Sequence, residues 1–170
     1  MDLNFTDKEL YDGGIFIMLV GPPGSGKTKF ARNVQRDYAN FKIISPNDIR
    51  IDMFGEEYDA KNSIELYEKV YSDIELYLNE HYNIVYDSCN CRVAYRRKMV
   101  DFLKSTNLVK KLICVLFNLP KQKCLLNNAN RPKKLKIPEN IIENMWVTLK
   151  KHPPIIFEGY DVIFNAEGLH

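Results

Sequence analysis

Several residue types are scarce in this 170-residue sequence: four cysteines, three histidines, one tryptophan, and eight each of glycine and proline. Cys89, Cys91, Cys114 and Cys124 fit neither a disulfide framework nor a zinc pattern, because Cys89 and Cys91 are too closely spaced and no histidine stands at ligand spacing. Free thiols in a reducing compartment are expected, with Cys114 in the core. So little glycine and proline excludes collagen-like and low-complexity chains. No apolar run approaches the roughly 20 residues needed to cross a bilayer; the longest is Ile15 to Val20. Met1 to Phe5 lacks the basic-then-apolar order of a signal peptide. These absences point to a cytoplasmic protein without a membrane partner.

What is present is ordinary for a folded domain: 45% hydrophobic and 27% charged residues. A chain of this length buries enough core to need no staple and fits a single domain. Neither an internal repeat nor a dividing linker is visible. Residues 1–14 are acidic and read as an N-terminal arm ahead of one domain spanning 15–170. The net charge of +2 hides a split: from Cys91 to Lys136 there are 13 basic residues and one acid, Asp101, while the remainder is acidic. Such a block suits an anionic partner, phosphate or nucleic acid; the competing reading spreads these charges over the surface, where they cancel.

Apolar runs and punctuation place the elements. Ile15 to Val20 is a continuous apolar run, the mark of a strand buried on both faces. A helix should run from Lys27 to about Tyr38, and a strand from Phe41 to Ser45. The polar corner Pro46-Asn47-Asp48 should lead into a short helix ending near Gly55. Ile64, Tyr67, Tyr71, Ile74 and Leu78 form one stripe of a long helix, read as core packing. Further strands are expected at Asn83–Tyr86, Leu112–Phe117 and Asp161–Phe164. Helices are expected at Tyr95–Leu103, from Lys121, and from Pro138 through Lys150. Alternating strands and helices imply an α/β fold with a mostly parallel sheet of about five strands flanked by helices.

Gly21-Pro22-Pro23-Gly24-Ser25-Gly26-Lys27-Thr28 matches G-x-x-x-x-G-K-[ST], the phosphate-binding P-loop or Walker A pattern. Gly21, Gly24 and Gly26, with Ser25, let successive backbone N–H groups converge on phosphate oxygens. The following helix aims its positive end at the same anion. Lys27 supplies charge for the β- and γ-phosphates, and Thr28 a hydroxyl for Mg²⁺. The pattern sits between an expected strand and an expected helix, as the chemistry requires. The competing reading is a glycine-rich turn that happens to precede Lys-Thr. No guanine-specifying N-K-x-D is present, and the chain is short for a ring ATPase module, so a small phosphotransferase is expected.

Ligands in parallel α/β sheets bind beyond the carboxyl ends of the strands. There, Asp48 is a candidate base and Arg50 a candidate acceptor clamp; alternatively Asp48 caps the short helix and Arg50 is a surface residue. Asp87 follows the third strand, where an acid can hold a magnesium-bound water; alternatively it caps the next helix. Asn90 stands in the same loop. Arg96 and Arg97 follow, as acceptor contacts or as a solvated basic face. The polar stretch 127–137 suits a basic lid carrying Arg131 to the transferring phosphoryl, with Lys133, Lys134 and Lys136 beside a polyanion or simply solvated.

Taken together, Gly21–Thr28, Ser45–Arg50, Asp87–Asn90 with Arg96-Arg97, and Asn127–Arg131 with Pro138 resemble the bacteriophage-type polynucleotide 5′-kinase domain and its small P-loop kinase relatives, over about residues 15–150. The resemblance implies a P-loop kinase fold, ATP and Mg²⁺ as cofactors, and transfer of the γ-phosphate to the 5′-hydroxyl of single-stranded DNA or RNA. It makes Lys27 and Thr28 nucleotide and Mg²⁺ contacts, Arg50 the acceptor-side arginine and Arg131 the lid arginine. Asn47, Arg50, Asp87, Asn90 and Arg97 then form the acceptor side. The family's C-terminal phosphatase domain is not expected in this chain. Two positions depart: Asn47 stands where such kinases usually have Asp, and Asn127 where the lid often begins with Arg. Asn cannot accept a proton as a base, so the adjacent Asp48 takes that role, or Asn47 only positions the hydroxyl. A kinase of a small metabolite, nucleoside or antibiotic, and a non-catalytic nucleotide-binding regulator, are the alternatives. Tyr95 is available for base stacking; Trp146, on a helix with Ile142 and Leu149, reads as core.

Overall fold

A computed structural model of the chain describes residue 3 and residues 5–55 and 63–166. Met1, Asp2 and Asn4 of the expected arm lie outside the described residues. Five strands, β1 (Ile15–Val20), β2 (Phe41–Ile44), β3 (Asn83–Tyr86), β4 (Lys111–Leu116) and β5 (Val162–Asn165), form one sheet in the order β2-β3-β1-β4-β5. Every pairing is parallel. The helices are α1 (Asp7–Asp12), α2 (Lys27–Asp37), α3 (Pro46–Phe54), α4 (Ser63–Asn79), α5 (Val93–Thr106), α6 (Lys121–Ala129) and α7 (Glu139–Lys151). The expected α/β architecture is the one observed.

All six residues of β1 are buried because both faces of the sheet are covered. Phe16, Met18 and Val20 pack with Leu66, Val70, Ile74, Met99 and Leu103 of α4 and α5. Ile15, Ile17 and Leu19 point the other way, into a second core with Phe30, Ala31 and Val34 of α2. Strand side chains alternate between faces, so two apolar layers demand an uninterrupted apolar run. Each fully buried side chain of this size contributes about 1.5–3 kcal/mol. Cys114 is fully buried in the first core, as the sequence suggested.

The stripe on α4 differs from expectation. Leu66, Val70, Ile74 and Leu78 are its buried residues, while Ile64 is 75% exposed. Tyr67 and Tyr71 border the buried row and are only partly covered. The tyrosines flank the stripe rather than form it; the four-residue steps of Leu66 to Leu78 define the face that meets the sheet. Trp146 is half-buried, donates from Nε1 to the Leu119 carbonyl at 3.0 Å and carries Lys150 Nζ 5.2 Å from its ring centroid.

The segment before β1 contains α1, opened by a capping box in which Thr6 and Glu9 satisfy each other's backbone donors. The side-chain amides of Asn40 and Asn83 both donate to the Leu10 carbonyl, at 2.9 and 3.0 Å. Glu9 accepts from Lys111 Nζ at 2.8 Å, and Leu3 is buried in the α2-side core.

Candidate active site

The carboxyl ends of β1, β2 and β3 open onto one cleft of about 550 Å³. Pro23, Lys27 and Thr28 line it from the first loop, Ser45, Asn47 and Asp48 from the second, Asp87 to Arg92 from the third, and Arg131 from the segment after α6. A larger hollow of about 1060 Å³ lies at the amino ends of the strands, around Asp7, Asp12, Glu80, His81 and Lys110. Three carboxylates there, Asp7, Asp12 and Glu80, are wrong for a polyphosphate.

The glycines of the first loop serve different needs. Gly24 has φ +77° and would place a Cβ 2.4 Å from the Cys124 carbonyl on α6; Gly26 has φ +98° with open space around it. Gly26 is the N-cap of α2, so the free N–H groups of that helix face the loop. Lys27 is buried and folds back, donating from Nζ to the Pro22 carbonyl at 2.8 Å and to Ser25 Oγ at 3.4 Å. That places an ammonium at the lip of the loop rather than out in solvent.

Thr28 Oγ1 donates to Asp87 Oδ2 at 2.6 Å, joining the first loop to the end of β3. A hydroxyl and a carboxylate at one point, both hard oxygen donors, fit a divalent cation such as Mg²⁺. Asp87 does not cap α5, whose N-cap is Arg92. On the β2 side the cap is Ser45, whose Oγ accepts from the Asp48 N–H at 3.2 Å. Pro46, Asn47 and Asp48, expected as a corner before the helix, are its first turn, with Pro46 at the start. Since Ser45 does the capping, the Asp48 carboxylate is left to face the cleft.

Arg50 follows on α3, and its guanidinium acts on the Tyr67 hydroxyl at the cleft wall: burial pushes that phenol up, Tyr95 adds to the rise, and Arg50 pulls it back. Arg131 is half-buried, lines the cleft and donates from Nη1 to the Leu135 carbonyl at 3.4 Å. The segment holding it is closed at its base by Asn128, which donates to the Ile137 carbonyl at 2.8 Å and accepts from its N–H at 3.0 Å. Asn127, where an arginine stands in the kinases it resembles, donates to the Gly24 carbonyl at 2.8 Å and ties α6 to the first loop.

Not every candidate presents its side chain to the cleft, and Arg50 is not among the residues lining it. The Asn90 side chain is turned inward, donating to the Leu19 carbonyl at 2.8 Å, so it braces the loop from within. Arg97 is exposed on α5 and is not among the residues lining the cleft. Arg96 is no surface residue: it is fully buried against Glu158. The basic block is likewise dispersed. Lys110 and Lys111 bond to Asp12 and Glu9 at the opposite end of the sheet, and Lys121 pairs with Glu143. Arg92 and Arg131 are its members in the cleft wall.

Sequence reasoning missed Arg32, Tyr67, Arg92 and the α7 face Ile141, Asn144, Met145 and Thr148, all of which line the cleft. Two signals were available. Arg32 lies one turn after Thr28 on the same helical face, and the α7 residues recur at three- and four-residue steps.

A family described as an AAA domain (AAA_33) matches residues 16–152. The chain belongs to this family. No curated protein matches it. Among solved structures, it superposes on a chain of the "Pnkp1/Rnl/Hen1 RNA repair complex" with a TM-score of 0.73 and 22% identity, over 86% of this chain and 47% of that one. This chain therefore spans about half the length of that relative. It also matches Kti12 of Chaetomium thermophilum, solved with ADP-AlF3 (TM-score 0.65, 15% identity, 88% and 87% of the two chains). A gluconokinase from Sinorhizobium meliloti matches with a TM-score of 0.55 and 15% identity, over 92% and 83%. These likenesses establish a P-loop kinase fold. No described helix is long and apolar enough to cross a membrane.

Proposed function

We propose that this protein is a kinase that transfers the γ-phosphoryl group of ATP to the 5′-hydroxyl of a nucleic acid end. The observation that carries the reading is the convergence in one cleft of Lys27, the Thr28–Asp87 pair, Asp48 and Arg131, drawn from four separate segments. Phosphoryl transfer asks the protein for position and charge more than for covalent chemistry. The backbone N–H groups of the first loop and the start of α2 hold the β- and γ-phosphates, with Lys27 beside them. Mg²⁺, when bound at Thr28 and Asp87, neutralises developing phosphate charge. Asp48 accepts the proton of the acceptor hydroxyl, while that oxygen forms its bond to the γ-phosphorus. The bond from the γ-phosphorus to the β–γ bridging oxygen breaks, and ADP departs. Asn47 and Arg50 orient the acceptor, and Arg131 neutralises charge on the transferring group.

Nucleic acid is favoured as acceptor by the cations and aromatics at the acceptor end of the cleft. Arg92 and Tyr95 stand together there, with the guanidinium 5.6 Å from the ring centroid, and Tyr95 is largely exposed. Such a pair stacks a base without sequence preference. The test is transfer of labelled γ-phosphate to a 5′-hydroxyl oligonucleotide, beside nucleosides and sugar acids. A protein that phosphorylates only the small acceptors sinks the polynucleotide assignment and leaves a small-metabolite kinase. A protein that binds ATP but shows no turnover against any acceptor of a broad panel is a non-catalytic regulator.

A further inference from the structure

The far end of the chain reaches the phosphate loop through one buried arginine. Arg96 on α5 is fully buried, and each of its five N–H groups has an acceptor. Nε donates to Glu158 Oε2 at 2.6 Å, and Nη2 to Glu158 Oε1 at 2.7 Å and the His152 carbonyl at 3.1 Å. Nη1 donates to two consecutive carbonyls, Asn90 at 3.2 Å and Cys91 at 3.1 Å. Glu158 belongs to a 3-10 turn, Ile156–Glu158, that follows α7.

Those two carbonyls belong to the loop that suspends the nucleotide site. The preceding carbonyl, Cys89, accepts from the Gly21 N–H at 2.8 Å. Asn90, held at φ +49°, donates from its side chain to the Leu19 carbonyl. Asp87 begins the same loop and receives Thr28. A non-glycine residue in the left-handed region persists only where its surroundings over-determine it. The planar guanidinium does this by fixing two successive peptide units through Nη1 while Nε and Nη2 hold the Glu158 carboxylate, a spread of donors that a lysine's single nitrogen lacks. Stability does not call for charges here, since a well-packed apolar pair can replace a buried ion pair without loss. What apolar side chains cannot supply is the hold on the two carbonyls.

We propose that Arg96 and Glu158 are positioning residues for the nucleotide site, acting through the Asp87–Cys91 loop on the Gly21 N–H and on the Asp87 carboxylate. Neither touches the nucleotide. The inference rests on the nucleotide side alone and stands whichever acceptor is used.

Two variants test it. Glu158→Gln keeps the shape and leaves the guanidinium short of its counter-charge. The double substitution Arg96→Met with Glu158→Leu removes both charges at similar volume and keeps the core filled. Binding of Mg²⁺-ATP is measured by calorimetry at a temperature where the melting curve shows each variant folded. Both variants should bind Mg²⁺-ATP on the order of tenfold more weakly than wild type. The double variant, which carries no unpaired charge, should do so at a temperature where its melting curve shows it fully folded. In steady state, KM for ATP should rise while kcat at saturation stays within about twofold, the signature of lost uniform binding. If Glu158→Gln does not fold, the double variant decides. A folded double variant that binds ATP like wild type, whatever its melting temperature, overturns the proposal and reduces the pair to core support.

Discussion

Replacing Gly24 and Gly26 by alanine, one at a time, separates two requirements of the phosphate loop. Both glycines have positive φ, +77° and +98°, so alanine at either incurs left-handed strain, worth about 1–2 kcal/mol. Only Gly24 also faces an obstacle. Its Cβ would stand 2.4 Å from the Cys124 carbonyl, a backbone atom of α6 that cannot rotate away. Relief requires α6 to retreat by about 1 Å to restore ordinary van der Waals contact. That retreat strains the bond from Asn127 to the Gly24 carbonyl and carries away the segment bearing Arg131. Gly26→Ala should therefore lower stability by about 1–2 kcal/mol, which for a domain of this size is roughly 3–6 °C in Tm. Gly24→Ala should cost about twice as much and should also reduce transfer at saturating ATP, because a misplaced charge near the transferring group slows the chemical step. Thermal melts and steady-state kinetics on the two variants measure both effects. Equal Tm losses and equal kcat values in the two would refute the argument that α6 rests on Gly24.

Asp48→Asn should lower kcat by about 10²- to 10⁴-fold, the range for a general base, while Asn47→Ala should act mainly on KM for the acceptor; label-transfer kinetics distinguish them, and the reverse pattern would move the base to another group. Asn128→Ala removes both bonds to Ile137 and should destabilise by about 1–3 kcal/mol, since it leaves backbone groups unpaired; denaturant melts check this. Burial pushes the Cys114 thiol up to about 12 and the Cys91 thiol, with Cys89 adding to the rise, up to about 12. The native state therefore keeps protons that the unfolded chain gives up. Stability is complete below the unfolded thiol value near 9.0 and falls by about 1.4 kcal/mol per pH unit for each thiol above it. Melts from pH 8 to 11 with Cys114→Ala beside wild type read that slope, and an identical alkaline decline in both would remove Cys114 as its source. Oligonucleotide turnover should weaken steeply with salt if phosphates beyond the terminal one are held; a flat salt profile would point to a small acceptor.

The parts of the site legible in the sequence are those whose cause is local. The glycines, Lys27 and Thr28 are consecutive, and the strand before them must be apolar throughout because it is covered on both faces. Asp48 and Asp87 could be placed because ligands gather where parallel strands end, and strand ends are marked by the loss of apolar residues. The competing capping readings could not be decided from spacing. Ser45 and Asp48 are both good caps, and the choice depends on where the backbone first turns helical. The helix takes Pro46 as its first residue, which makes Ser45 the cap and leaves Asp48 for the cleft. The arm before β1 did carry a legible signal in Thr6 and Glu9, spaced as a capping box, but six residues of helix lie below the length at which an apolar period can be read.

Arg96 shows where composition misleads. In the sequence it stands beside Arg97 and Lys98 and invites reading as one basic face. Its spacing says otherwise: Arg96, Met99, Val100 and Leu103 are the buried residues of α5, at steps of three, one and three, and so share one helical stripe. A charge on an apolar stripe must find a counter-charge or it cannot stay there. The counter-charge is Glu158, whose carboxylate 62 residues later in sequence has no local mark beyond its place in a turn between α7 and β5. Period alone could have moved Arg96 from the surface to the interior; only the packing of the turn after α7 against α5 names its partner. With both buried, Arg97 and Lys98 remain on the exposed face of α5, and the proposed acceptor side has Arg92 and Arg131 as the basic-block cations in the cleft wall. In the proposed kinase the nucleotide side is built from consecutive residues and the acceptor side from residues gathered from α3, α5 and the segment after α6. That is why the first half of the candidate site can be read from a few adjacent letters, and the second half only from the packing.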